Sequence, residues 1–210
     1  LFRSTNLSPS AIPPTYKASS LHGIYGKLSV SNNGHWTYTI DNSAHNVQAL
    51  TQGQQVQEHF NVVSTDGKTI PITIDITGKN DTASISGTDM GQVTEESALQ
   101  TSGTLTISDT DTGEAHFSDT DYTGTLGTLH MTDSGAWTYD LDNSNTTVQA
   151  LAQGSSATDT ITVKSADGTT HQITVTVNGT NDVAQIAGSA TGQVTEESAL
   201  QTSGTLTISD

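Results

Sequence analysis

The sequence predicts an all-β fold made of tandem sandwich modules, and three observations predict it. The segment Gly91–Asp109 (GQVTEESALQTSGTLTISD) recurs unchanged as Gly192–Asp210, a period of 101 residues. Such a long identical run marks duplication of a whole structural unit. Within a unit, apolar and polar residues alternate with a period of two, the mark of strands that bury one face. Hydrophobic residues make up only 31% of the chain, too few for one large core but suited to a thin sandwich whose strands hydrate their outer faces.

The same shift aligns Trp36 with Trp137, Tyr38 with Tyr139, Asp41-Asn42-Ser43 with Asp142-Asn143-Ser144, and Asp66-Gly67 with Asp167-Gly168. It also aligns Asn80-Asp81 with Asn181-Asp182, and it needs no insertion from Gly23/Gly124 onward. Three pieces follow. Residues 1–80 form a first sandwich repeat, 81–181 a complete second one, and 182–210 the opening strands of a truncated third. Residues 1–15 do not match their counterparts at 102–116, and similarity begins near Tyr16, opposite Phe117. The first repeat therefore opens with a divergent or truncated segment, and Leu1 reads as a cut inside a longer protein.

Taken in order through the second repeat, Leu105/Ile107, Leu129/Met131, Trp137/Tyr139/Leu141, Ile161/Val163 and Ile173/Val175/Val177 are the inward residues of successive strands. Threonines between them keep β-propensity while wetting the outer face. Asp133-Ser134-Gly135 turns the chain before the tryptophan strand. Asp167-Gly168 predicts a hairpin with a type I′ turn. One short helical piece is expected at Thr147–Ala152, capped by Asp142 or Asn145. About seven short strands in such a repeat predict an immunoglobulin-like sandwich. Trp36 and Trp137, alternating with Tyr38 and Tyr139, are expected in the core, and His130 on the solvent side of its strand.

Charge narrows the function. Six basic residues against 22 acidic ones give a net charge of −16, which repels nucleic acid and anionic membranes and favours cations. Cysteine is absent, so no disulfide supplies stability. No apolar run is long enough to cross a membrane as a helix. Acidic residues gather in three places around the second repeat: the linker Gly78-Lys79-Asn80-Asp81, the pair Glu95-Glu96, and the loop Asp109-Thr110-Asp111-Thr112-Gly113-Glu114. Alternate aspartates around a glycine can aim several oxygens at one point, as Ca²⁺ requires; the competing reading is ordinary turn chemistry. Flanking helices are missing, so this is no EF-hand, and without cysteine or paired histidines it is no transition-metal site. Asp119 and Asp121 have no acidic counterparts in the first repeat and are weaker candidates. Asp133-Ser134-Gly135 lacks a matching histidine and an oxyanion-hole motif, so no enzyme activity is expected.

The strings SGTLTISDTDTGEAHF, GTLHMTDSGAWTYDLDNSNTTVQAL and DTITVKSADGTTHQITVTVNGTND resemble the VCBS repeat of large bacterial RTX-type adhesins and, more loosely, cadherin-like modules. The resemblance covers residues 16–210. It implies type I secretion, display at the bacterial cell surface, and repeats that extend a terminal binding region in cell adhesion or biofilm formation. It also implies calcium near module junctions. Carried over residue by residue, the ligands would be Asn80, Asp81, Glu95, Glu96, Asp109, Asp111 and Glu114 at one junction. Asn181, Asp182, Glu196, Glu197 and Asp210 would serve the next. Positions 8, 10 and 13 hold Ser8, Ser10 and Pro13, so no equivalent site is expected at the leading end of the first repeat.

The function this predicts is a calcium-stabilised spacer whose partners are adjacent repeats of the same protein. The alternative is a glycan- or protein-binding module. Residues 182–210 and the irregular opening of the first repeat further suggest head-to-tail self-association through terminal strands.

Overall fold

A computed structural model describes residues 15–209. Residues 1–14 and Asp210, and with them the divergent opening of the first repeat, lie outside the described residues. The chain divides into two compact units, one formed by 1–84 with 108–115 and the other by 85–107 with 116–210.

In the first unit, β1 (Ser19–His22), β2 (Gly26–Val30) and β3 (Trp36–Ile40) form an antiparallel sheet in that order. The helical turn α1 (His45–Gln48) follows, and then the long hairpin of β4 (Gln55–Val63) and β5 (Thr69–Thr77). Its core is small: Leu28, Val30, Phe60 and Val62, flanked by Tyr16, Tyr38, Ile72 and Ile74.

The second unit is a fuller sandwich. Strands β6 (Ser84–Gly87), β8 (Gln100–Ser108), β11 (Ala136–Leu141), β10 (Gly127–Met131) and β9 (Thr120–Thr123) make a five-stranded sheet in the order β6-β8-β11-β10-β9. Opposite it, β12 (Ser156–Lys164), β13 (Thr170–Asn178) and β7 (Met90–Thr94) form a three-stranded sheet in which β7 runs parallel to β13. Inward residues of both sheets, among them Val93, Leu105, Leu129, Trp137, Tyr139, Ile161, Val163, Ile173 and Val175, close one continuous core. A last hairpin pairs β14 (Gln185–Gly188) with β15 (Leu206–Ser209).

The strands match the alternation read from the sequence, and three details differ. The helix α2 runs over Thr146–Gln149, one residue earlier than the periodicity suggests, because Asn145 accepts the Thr147 N–H at 2.9 Å and starts it there. At Asp167-Gly168 only Gly168 has positive φ, 88°. A type I′ turn needs both central residues there, so the connection is instead a turn closed by Gly168 N–H on Ser165 O at 3.1 Å, with the glycine in the following left-handed position. Trp137 is buried and donates its ring N–H to Thr88 O at 2.8 Å, whereas Trp36 is 46% exposed. The reason is local: β8 covers Trp137, with Gly103 packed so closely that a Cβ would sit 2.6 Å from the indole. Among the described residues of the first unit, no strand occupies that position beside β3.

A buried carboxylate organises each unit. Asp159 accepts from Thr125 N–H at 2.9 Å, Thr125 Oγ1 at 2.8 Å, Leu126 N–H at 2.9 Å and Tyr139 Oη at 2.9 Å. In the first unit Glu58 accepts from Ile24 N–H, from Tyr25 N–H at 3.0 Å and from Tyr38 Oη at 2.8 Å. Glycine at 124 and at 23 leaves room, since a Cβ at either would meet the carboxylate near 2 Å. Burial, reinforced by the carboxylate it bonds, pushes both tyrosines above the ordinary range.

Candidate functional site

The acidic loop after β8 folds onto the first unit rather than standing free. Thr112 N–H donates to Ala49 O at 3.2 Å, and Asp81 N–H donates to Asp111 Oδ2 at 2.7 Å. Asp109 Oδ1 accepts the Asp111 N–H at 2.9 Å, a local turn that its alternate-aspartate spacing makes possible. Glu114 N–H closes the loop on Asp111 O at 3.4 Å. The linker is held likewise: Asn80 N–H donates to Gln52 Oε1 at 3.0 Å, and its side-chain amide donates to Asp81 O at 2.6 Å.

This arrangement leaves two carboxylate oxygens buried without a hydrogen-bond partner, Asp109 Oδ2 and Asp111 Oδ1. Asp111 is almost fully enclosed, at 2% exposure. A carboxylate oxygen in that state is costly to leave unpaired. Among the described residues, no three His, Cys, Asp or Glu side chains stand together as a metal cluster. A hard cation here would therefore also draw on the Asn80 amide, backbone carbonyls and water. Ca²⁺ accepts such mixed oxygen sets, and the donor chemistry fits it.

Glu95 and Glu96 follow β7 in the second unit. Both belong to the second unit and are held within it. Glu95 is fully buried; its N–H donates to Asn178 O at 3.1 Å, its Oε1 accepts the Thr180 N–H at 2.6 Å, and its Oε2 is buried without a partner. That places it against the segment leading to Asn181-Asp182, where the Asn181 amide donates to Asp182 O at 2.6 Å. Glu96 is exposed and adopts φ 62°, so its carboxylate turns to accept from Asn143 Nδ2 at 2.8 Å and Gln149 Nε2 at 3.1 Å. Those bonds, from Gln149 first and Asn143 second, hold it below the usual carboxylate range. Glu196 and Glu197 are exposed, with Glu197 at φ 63°. Asp210 lies outside the described residues.

Asp121 Oδ1 on β9 contacts His130 Nδ1 on β10 at 2.7 Å, and Asp119 Oδ1, just before β9, lies 3.9 Å from Nε2, an exposed surface cluster. Sequence reasoning missed Glu58 and Asp159. The signal was present, because each sits at an inward phase of its strand opposite an inward tyrosine.

Residues 80–179 match the sequence pattern of the bacterial cadherin-like domain family, and the fold is a cadherin-like β-sandwich. No curated protein matches the chain. Among solved structures it is similar to protocadherin γB3 EC1–4, at 12% identity and TM-score 0.39, over 92% of this chain and 49% of that one. It is also similar to the protocadherin γB4 extracellular domain, at 15% identity and TM-score 0.41, over 83% of this chain and 28% of that one. A third is a Ca²⁺-stabilised adhesin of an ice-binding Antarctic bacterium, at 17% identity and TM-score 0.26, over 82% and 41% of the two chains. The chain thus spans about half the length, or less, of these structures. No helix among the described residues is long and apolar enough to cross a membrane.

Proposed function

We propose that this chain is a run of extender modules of a bacterial cell-surface adhesin of the RTX type, built from VCBS-like repeats, stiffened by Ca²⁺ and without catalytic activity. Its partners are neighbouring repeats, and its place is outside the cell after type I secretion. The observation that carries the reading is the pair of buried, unpartnered oxygens, Asp109 Oδ2 and Asp111 Oδ1, beside Asn80 and Asp81. Asn80, Asp81, Asp109, Asp111 and Glu114 would hold the ion. Glu95, with its own unpartnered Oε2, would serve the following position together with Asn181 and Asp182.

Removal of the ion leaves like charges facing one another in a chain of net charge −16, and that repulsion loosens the loop. Extracellular modules bind Ca²⁺ with Kd of roughly 10⁻⁴–10⁻³ M, so millimolar calcium fills such sites. Calorimetric titration tests this: wild type should release or absorb heat with Ca²⁺ in that range, and Asp111→Asn should lose one binding event. Identical isotherms for the two chains would refute the assignment.

A further inference from the structure

Glu95 and Glu96 are adjacent in sequence, yet one is fully buried and the other exposed. Thr94 ends β7 opposite Asn178, the last residue of β13. Directly beyond that pair the Glu95 N–H donates to Asn178 O at 3.1 Å, and the Asn178 side-chain amide donates back to Val93 O at 2.9 Å. The Glu95 carboxylate continues the seam, taking the Thr180 N–H on Oε1 at 2.6 Å, with Oε2 enclosed and unpartnered. Water would solvate that bare oxygen better than the interior does. Something beyond the seam must therefore keep the side chain turned inward.

Glu96 is placed to do so. The chain reverses over Thr94–Ala98, where Ala98 N–H closes on Thr94 O at 2.9 Å, and Glu96 takes φ 62°. Left-handed backbone is uncommon for a residue with a Cβ and persists where the surroundings over-determine it. The second copy of the same sequence repeats the turn: Ala199 N–H closes on Thr195 O at 2.9 Å, and Glu197 takes φ 63°. The turn is thus encoded locally. Around residue 96 three further bonds tie it to the segment leading into α2. The Glu96 N–H donates to Asn143 Oδ1 at 3.1 Å, and Asn143 Nδ2 and Gln149 Nε2 donate to its Oε1 at 2.8 and 3.1 Å. Gln149 Nε2 also donates to Asn143 O at 2.8 Å, so the two amides brace each other. One amide, that of Asn143, grips both the backbone and the carboxylate of Glu96, which fixes the peptide joining it to Glu95.

We infer that Glu96 is a positioning residue: its carboxylate, latched to Asn143 and Gln149, turns Glu95 toward Thr180 and holds it there with or without an ion. Calcium enters only through what Glu95 would bind, a part that rests on the calcium reading. The latch itself is made of protein groups alone. In this role Glu96 must accept hydrogen bonds and need not present charge to a cation, and that difference separates a latch from a ligand.

Amide hydrogen exchange followed by NMR, with chelator present, reads the latch through the Thr180 N–H, with the β12–β13 core amides as internal reference. Glu96 is exposed, so substitutions there leave the fold intact. Glu96→Ala keeps a Cβ at the left-handed position and removes only the carboxylate. It should speed Thr180 exchange by about tenfold or more, the worth of the charge-assisted bonds lost, and leave the core amides unchanged. Glu96→Gln retains an oxygen acceptor and should restore wild-type protection. Gln149→Met, which removes one donor at similar side-chain length, should reproduce part of the alanine effect. In Ca²⁺ titrations Glu96→Gln should match wild type, and Glu96→Ala should bind the same number of ions more weakly. Unchanged Thr180 exchange in Glu96→Ala overturns the inference, as does equal acceleration of the core amides. So does a Glu96→Gln chain that loses an ion. If no chain binds calcium, the calcium reading fails, and the exchange rates still decide the latch.

Discussion

Replacing Asp159 with alanine should be the most damaging single change in the second unit. The side chain is small and polar, yet four donors converge on it: Thr125 N–H, Thr125 Oγ1, Leu126 N–H and Tyr139 Oη. A buried donor left without its acceptor costs about 1–3 kcal/mol. The two hydroxyls can rotate toward new partners; the two backbone N–H groups cannot. The expected loss is therefore about 3–5 kcal/mol, set mainly by Thr125 and Leu126. Asp159→Asn should cost about 2–3 kcal/mol, because one amide face presents N–H where the protein also presents donors. Urea unfolding followed by Trp137 fluorescence in a Trp36→Phe background reads the second unit alone. A double-mutant cycle with Tyr139→Phe should return a coupling of about 1 kcal/mol or more, since removing Tyr139 Oη after Asp159 abolishes one orphaned donor. An Asp159→Ala loss below about 1 kcal/mol, or no coupling, would refute the idea that this carboxylate anchors the loop.

Acid should expose the same anchor. Burial alone pushes Asp159 up, but hydrogen bonds from Thr125, Leu126 and Tyr139 outweigh it and hold its carboxyl below the ordinary range. A carboxylate depressed in the folded state stabilises fully above its unfolded pKa of about 3.9 and loses that contribution as pH falls through the folded value. The urea midpoint should drop below about pH 4 in wild type and stay flatter in Asp159→Asn. Gly103→Ala should destabilise by roughly 1–3 kcal/mol, because the added Cβ would lie 2.6 Å from the Trp137 ring; thermal melts check it. Ala44→Asn should stabilise the first unit by about 0.5–1 kcal/mol. Ala44 precedes α1 with no side-chain cap, where the corresponding Asn145 caps α2, and Trp36 fluorescence reads the change.

Much of this fold is legible in the sequence because a half-buried strand must alternate. Leu129 and Met131, or Ile173, Val175 and Val177, announce both their strand and its inner face. The same rule hid Asp159, whose acidic character suggests surface although its phase with Ile161 and Val163 points inward. Glu95 and Glu96 were harder. The resemblance named them as ligands, whereas their own bonding within the second unit, Thr180 N–H to Glu95 and a left-handed φ that turns Glu96 toward Asn143 and Gln149, joins residues far apart in sequence. Trp36 shows the limit of reasoning by alignment: its own strand is correct, and its burial depends on a neighbour that alignment does not supply.

The parallel seam between β7 and β13 bears on how the second unit would respond to force along the chain. The chain enters β7 at Met90 and leaves β13 at Asn178, and the five pairs from Thr174↔Met90 to Asn178↔Thr94 run alongside one another. Tension applied to the two ends pulls Met90 backward and Asn178 forward along the strand axis. The cross-strand bonds are then strained together, sideways, and none can open ahead of the rest. A tether made of such modules would yield abruptly at a high threshold, where a peeled hairpin gives way one rung at a time.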